Sequence, residues 1–127
     1  MPNIIVVDDD ITNVQLLQML LELEGYVVSP CTNLEEAQAA ADASTKAFVI
    51  DWHLERNASG LDLLNAVRSG STAAGQSTIV IMTSGDHRRE KEAIKAGADC
   101  FLLKPYPPDE LSNVLSDLLA KGGGSGE

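Results

Sequence analysis

Ile4-Ile5-Val6-Val7-Asp8-Asp9-Asp10 is a four-residue apolar run that ends abruptly in three carboxylates. Ala47-Phe48-Val49-Ile50-Asp51 repeats the pattern, an unbroken apolar run stopped by an acid. Runs this short are strand-sized, and apolar residues at every position, without alternation, mark a strand covered on both faces. Two further runs share the form. Thr78–Met82 leads into Thr83-Ser84-Gly85, and Cys100–Leu103 leads into Lys104-Pro105. Tyr26–Val28 supplies a fifth strand.

Helical patterns lie between the strands. Ile11–Glu24 has helical length and meets Gly25, a natural residue beyond a helix C-cap, while Asp10 stands where an N-cap belongs. Thr32-Asn33-Leu34-Glu35 has the form of a capping box and opens an alanine-rich helix to about Ala43. Further helices are expected over Leu61–Arg68, over Asp86–Ala96 with Gly97 as its stop, and over Pro108–Leu119 with Pro108 at the first helical position. Strands alternating with helices predict an α/β domain, a five-stranded parallel sheet wound on both sides. In such sheets function gathers at the carboxyl ends of the strands.

The bulk properties narrow the function. A chain of 127 residues, 44% apolar, makes one domain with a real core, read as 1–120, followed by a Gly/Ser tail or linker over 121–127. A formal charge of −10 argues against direct nucleic-acid binding, which needs a basic face, and suits a site that gathers a divalent cation. No stretch approaches the roughly 20 apolar residues that cross a bilayer, and the start of the chain lacks the basic and small-residue marks of a signal peptide. Cys31 and Cys100 lack metal-ligand spacing and read as small core residues of a reducing cytosol, so the expected location is cytoplasmic.

The strand ends carry the chemistry. The topology brings Asp8, Asp9 and Asp10, then Asp51, Thr83 and Lys104, to one edge of the sheet. Clustered carboxylates repel one another and take up protons unless a cation intervenes. Mg²⁺ suits oxygen ligands and phosphate, a carboxylate can serve as nucleophile, and a lysine with a hydroxyl can hold the equatorial phosphoryl oxygens.

Asp8-Asp9, Asp51, Thr83 and Lys104-Pro105, in this order and spacing over roughly Asn3–Ala120, resemble the signature of the receiver domain of two-component response regulators. The resemblance implies a flavodoxin-like (βα)5 fold with strand order 2-1-3-4-5. It implies that Asp51 accepts a phosphoryl group from a histidine kinase or histidine phosphotransfer protein, in signalling rather than in enzymatic turnover. Asp8, Asp9, Asp51 and the backbone carbonyl of His53 would hold Mg²⁺ or Mn²⁺. Thr83 and Phe101 would form the switch, Lys104 would pair with the phosphoryl group, and Lys104–Pro105 would be cis. A homodimer or downstream partner would use helix 86–96, strand 100–103 and helix 108–119. His53 and Gly85 match positions that tune phosphoryl lifetime in the family. Trp52 and His87 read as ordinary loop and helix-start residues.

The stretch Leu54-Glu55-Arg56-Asn57-Ala58-Ser59-Gly60 departs from the family, lacking its usual proline and running one residue longer; Arg56 in it is read as facing water. The first helix holds more leucine than one buried stripe needs, which fits either a docking patch for the kinase's helices or a helix half covered by its neighbours. Two other functions match parts of the pattern. Asp8-Asp9-Asp10-Ile11-Thr12 has the form of the D-x-D-x-T motif of haloacid-dehalogenase-like phosphatases, with Asp8 as nucleophile and Asp10 as acid/base, but leaves Asp51 idle. An unphosphorylated interaction module on the same fold is the third reading.

Overall fold

The computed structural model describes residues 2–54 and 59–121, the side chain of Pro108 aside. The elements run β1 (Asn3–Val7), α1 (Ile11–Leu23), β2 (Val27–Cys31), α2 (Leu34–Ala40), β3 (Thr45–Asp51), α3 (Gly60–Arg68), β4 (Ile79–Ser84), α4 (Glu90–Lys95), β5 (Cys100–Leu103) and α5 (Pro108–Ala120). Five parallel strands form one sheet in the order β2-β1-β3-β4-β5. The fold is α/β and doubly wound, as the alternation of runs predicts.

The sheet divides the core in two. Ile5, Val7, Phe48, Ile50, Val80 and Met82 pack with α2, α3 and α4. Ile4, Val6, Ala47, Val49, Ile79, Ile81 and Leu102 pack with α1 and α5. Phe48, Ile4, Ile50 and Ile81 are among the fully buried side chains. Removing each from water contributes about 1.5–3 kcal/mol, which fixes the register of the central strands.

Local chemistry moves several boundaries. The cap of α2 is Asn33, not Thr32: its side chain accepts from Glu36 N at 2.8 Å, while Glu36 reaches back to accept from Thr32 N at 2.7 Å. The cap thus stands one residue later than expected, and the returning bond reaches the residue before it rather than the cap's own N–H. The helix also stops at Ala40, because the Asp42 carboxylate accepts from Ser44 N and starts a competing turn. β2 runs past the expected end at Val28 to Cys31 and includes Pro30; an edge strand tolerates a residue with no N–H to donate. The helix expected at 86–96 opens as a 3₁₀ turn, His87–Arg89, because Asp86 accepts from Arg88 N and tightens it. Asp10 caps α1 through Thr12 N, and Gly25 and Gly97 end α1 and α4 at φ of 98° and 110°. The altered loop residues 55–58, with Arg56, and the tail beyond Lys121 lie outside the described residues.

Candidate functional site

Side-chain alternation carries the site. Asp8 continues the parity of Ile4 and Val6, Asp51 that of Ala47 and Val49, Thr83 that of Ile79 and Ile81, and Lys104 that of Leu102. All of these apolar residues belong to the α1/α5 side of the sheet. Successive strand residues point to opposite faces, so one rule turns four strand ends toward a common corner. The register completes it, pairing Asp51 with Thr83.

The contacts follow. Lys104 Nζ lies 3.2 Å from Asp8 Oδ2 and 3.1 Å from Asp51 Oδ1. Asp8 Oδ1 accepts from Asp10 N at 3.0 Å, and Asp8 N donates to Cys31 O at 3.1 Å. Lys104 N donates to Ser84 O at 2.8 Å, and the Lys104–Pro105 bond is cis. Oxygens of Asp8, Asp9 and Asp51 lie within 4.8 Å of one another. Asp8, Asp51 and Thr83 are buried, while Asp9 is exposed.

Electrostatics sets the protonation. Burial pushes the Asp51 carboxyl above its ordinary value; the Lys104 ammonium pulls it back, and Asp8 and Asp9 add to the rise. Burial pulls the Lys104 ammonium down, but Asp51 and Asp8 together outweigh it and leave its pKa raised. The corner thus holds three carboxylates against one ammonium, a surplus of negative charge presented in hard oxygen donors.

Gly60 decides how close the next loop can come. A Cβ there would strike the Asp51 carbonyl oxygen and stand 2.7 Å from Ile50 Cγ2. Gly60 N donates to Trp52 O at 2.7 Å, which ties the start of α3 to the residue after Asp51.

Residues 4–116 match the family described as the response regulator receiver domain. The chain belongs to the receiver-domain family. It is 33% identical over 120 residues to the chemotaxis protein CheY1 of Helicobacter pylori, covering 91% of this chain and 95% of that one. It is 26% identical to the phosphate regulon transcriptional regulatory protein PhoB of Pseudomonas aeruginosa, covering 94% of this chain but about half, 52%, of that longer protein. Among solved structures, the receiver domain of a Francisella response regulator superposes with a TM-score of 0.83 at 26% identity, covering 96% and 99% of the two chains.

The remaining expected residues fall as follows. His53 has an exposed side chain and pairs through its backbone with Ser59. Phe101 is half-buried, packed against the α2/α3/α4 side of the core. Cys31 is buried and its thiol is pushed up to about 11 by burial, whereas Cys100 is only half-buried; both are free. Trp52 is the clearest correction. It is a core residue, 5% exposed, and the guanidinium of Arg89 lies over its ring at 5.4 Å from the centroid. The signal was legible, since Phe48, Ile50, Trp52 and Leu54 keep a period of two past the end of the strand and share one core cluster. Tyr106 is a second residue that sequence reading passed over; it lines a cavity of about 350 Å³ with Asp8, Lys104 and Leu16, Leu17 and Leu20 of α1.

Proposed function

We propose that this domain, spanning 1–120 with 121–127 as a tail or linker, accepts a phosphoryl group on Asp51 from a histidine kinase or histidine phosphotransfer protein. The carrying observation is the juxtaposition of Asp51 with Asp8 and Asp9 within 4.8 Å and with Lys104 Nζ at 3.1 Å. An Asp51 oxygen attacks the phosphorus of the donor phosphohistidine. The N–P bond breaks as the O–P bond forms, and the imidazole leaves as a neutral ring after taking up a proton. Water later cleaves the acyl phosphate and returns the free carboxylate. This is one transfer per signal and not metabolic turnover.

The donor set fits a divalent cation: three carboxylates offer hard oxygens, with a single ammonium to offset them. Asp8, Asp9, Asp51 and the His53 carbonyl would hold Mg²⁺ or Mn²⁺, which when bound neutralises charge on the phosphoryl oxygens. Lys104 and Thr83 take further phosphoryl oxygens, and the added charge of about −1.5 to −2 draws Thr83 inward. Phe101, which pairs with Met82 beside Thr83, follows as the switch.

Donor helices find apolar surface beside the acid corner, where Ile11, Leu16 and Met19 of α1 are exposed. That exposure supports the docking reading of the surplus leucines. Ile94 and Leu103, also exposed, support α4, β5 and α5 as the face for a second copy or a downstream partner. Among the described residues, no helix is long and apolar enough to cross a membrane, in keeping with a cytoplasmic role.

The haloacid-dehalogenase reading needs Asp10 as acid/base, and Asp10 is occupied as the cap of α1. One experiment separates the readings. With Mg²⁺ and acetyl phosphate the chain gains the mass of one phosphoryl group, and Asp51→Asn abolishes the gain. A label on Asp8 with steady phosphate release supports the phosphatase, and no label supports an unphosphorylated module.

A further inference from the structure

Trp52 is the one tryptophan of the chain and the immediate neighbour of Asp51. Opposite parity sends its ring to the other side of the sheet from the Asp51 carboxylate, toward α3 and α4. Its backbone is held at both ends: Trp52 N donates to Thr83 O at 2.8 Å, and Trp52 O accepts from Gly60 N at 2.7 Å. The ring is therefore a fixed platform bolted to the phosphoacceptor strand.

What rests on the platform is lightly anchored. α4 is six residues long and buries one side chain, Ala93. Its opening turn hangs from a hinge with room to move, since Gly85 is exposed and even an added Cβ there would meet nothing within 4 Å. Segments with so few buried contacts open at low cost. Across this gap reaches Arg89, its guanidinium over the Trp52 ring.

Arg89 is also caught between partners. Its Nε is shut off from solvent yet has no hydrogen-bond acceptor among the described residues. The nearest carboxylate oxygen on Asp86 is 3.8 Å from that Nε, and Glu92 Oε1 is 3.5 Å from Arg89 Nη1. Asp86 is already committed to Arg88, at 2.9 and 3.0 Å. A buried N–H left unmade costs free energy, and a small movement of the Asp86 turn would close the bond. The same turn is tied to the switch strand, because Ser84 Oγ accepts from Asp86 N at 3.0 Å. Thr83, Ser84, Asp86, Arg89 and Trp52 thus close a ring of contacts that begins and ends at the residues beside Asp51.

We propose that Arg89 is a positioning residue that fastens the first turn of α4 to Trp52, so that the state of the Asp51 site is passed to α4. The proposal rests on the phosphoacceptor reading of Asp51. When Thr83 moves inward, Ser84 and Asp86 move with it. The Arg89 Nε–H then gains Asp86, and the stack on Trp52 loosens.

Hydrogen exchange of the amides of residues 86–95 and the fluorescence of Trp52 test this in Arg89→Ala, Arg89→Lys and the control Arg88→Ala. In the unlabelled protein, Arg89→Ala should speed exchange about five- to tenfold, with Arg89→Lys, which keeps a cation over the ring, in between. Acetyl phosphate with Mg²⁺ should change Trp52 fluorescence and 86–95 exchange in the wild type. In Arg89→Ala, mass labelling of Asp51 should persist while the exchange response is lost. Wild-type exchange in unlabelled Arg89→Ala, or an equal effect from Arg88→Ala, overturns the proposal. A wild-type chain that takes no label overturns the phosphoacceptor reading and the signalling half of this one; exchange in the unlabelled variants still decides whether Arg89 holds α4.

Discussion

At the amino ends of β4 and β5, the Arg68 guanidinium meets an acceptor in every direction: Gly97 O at 2.9 Å, Gln76 O at 2.7 Å, Thr78 O at 2.6 Å and Asp99 Oδ2 at 3.0 Å. Asp99 in turn accepts from Val80 N at 2.8 Å. At the carboxyl ends of the same sheet, Lys104 faces Asp8 and Asp51 with Asp9 close by. Both corners are partly buried and charged, yet one is balanced, with every guanidinium nitrogen hydrogen-bonded, while the other keeps surplus negative charge. A completed network serves as a strut. An unbalanced one costs stability and is positioned to receive something positive, which is why the two corners should respond in opposite ways to substitution and to metal.

Arg68→Ala should produce the largest change. It strands Asp99 and three carbonyls at once, and a loss of about 3 kcal/mol in urea unfolding is expected, with Asp51 still labelled by acetyl phosphate while the chain is folded. Equal loss of labelling and stability would break the contrast, because the strut would then be part of the site. Next comes metal. Mg²⁺ at about a hundred times its dissociation constant should add about 2.7 kcal/mol in thermal unfolding. Arg68→Ala should keep that gain, Asp9→Asn should lose most of it, and chelation should reverse it.

The smallest effect concerns the buried acid itself. Without metal, Asp51→Asn should stabilise the chain slightly at neutral pH, since it removes a buried carboxylate whose pKa burial has raised. The sign follows from linkage: the folded chain holds the Asp51 proton to higher pH than the unfolded chain does. Stability is therefore favoured at low pH and falls as pH rises from the ordinary carboxylate value through the raised one. Asp86, lowered to about 2 chiefly by its hydrogen bonds from Arg88, runs the other way, its contribution lost as pH falls. Subtracting the pH–stability curve of Asp51→Asn from that of wild type isolates the first slope from the second; a flat difference would show that Asp51 is not strained.

Much of the fold was legible because uninterrupted apolar runs and helix caps are local signals. β5 at Cys100–Leu103, the Asp10 cap and the glycines ending α1 and α4 all fall where their residues place them. Local reading failed where a neighbour outbid it. The edge position of β2 let Pro30 stay in a strand, and the Asp42 turn cut α2 short.

Residue order alone sets which types end each strand and, through the period of two, puts Asp8, Asp51, Thr83 and Lys104 on one side of the sheet. Packing in three dimensions seats Lys104 Nζ between two carboxylates, requires Gly60 to lack a side chain where it passes the Asp51 carbonyl, and lays Arg89 on Trp52. The reason is physical. Periodicity is written along a strand, whereas distances between strands are set by how the helices pack the sheet from both sides.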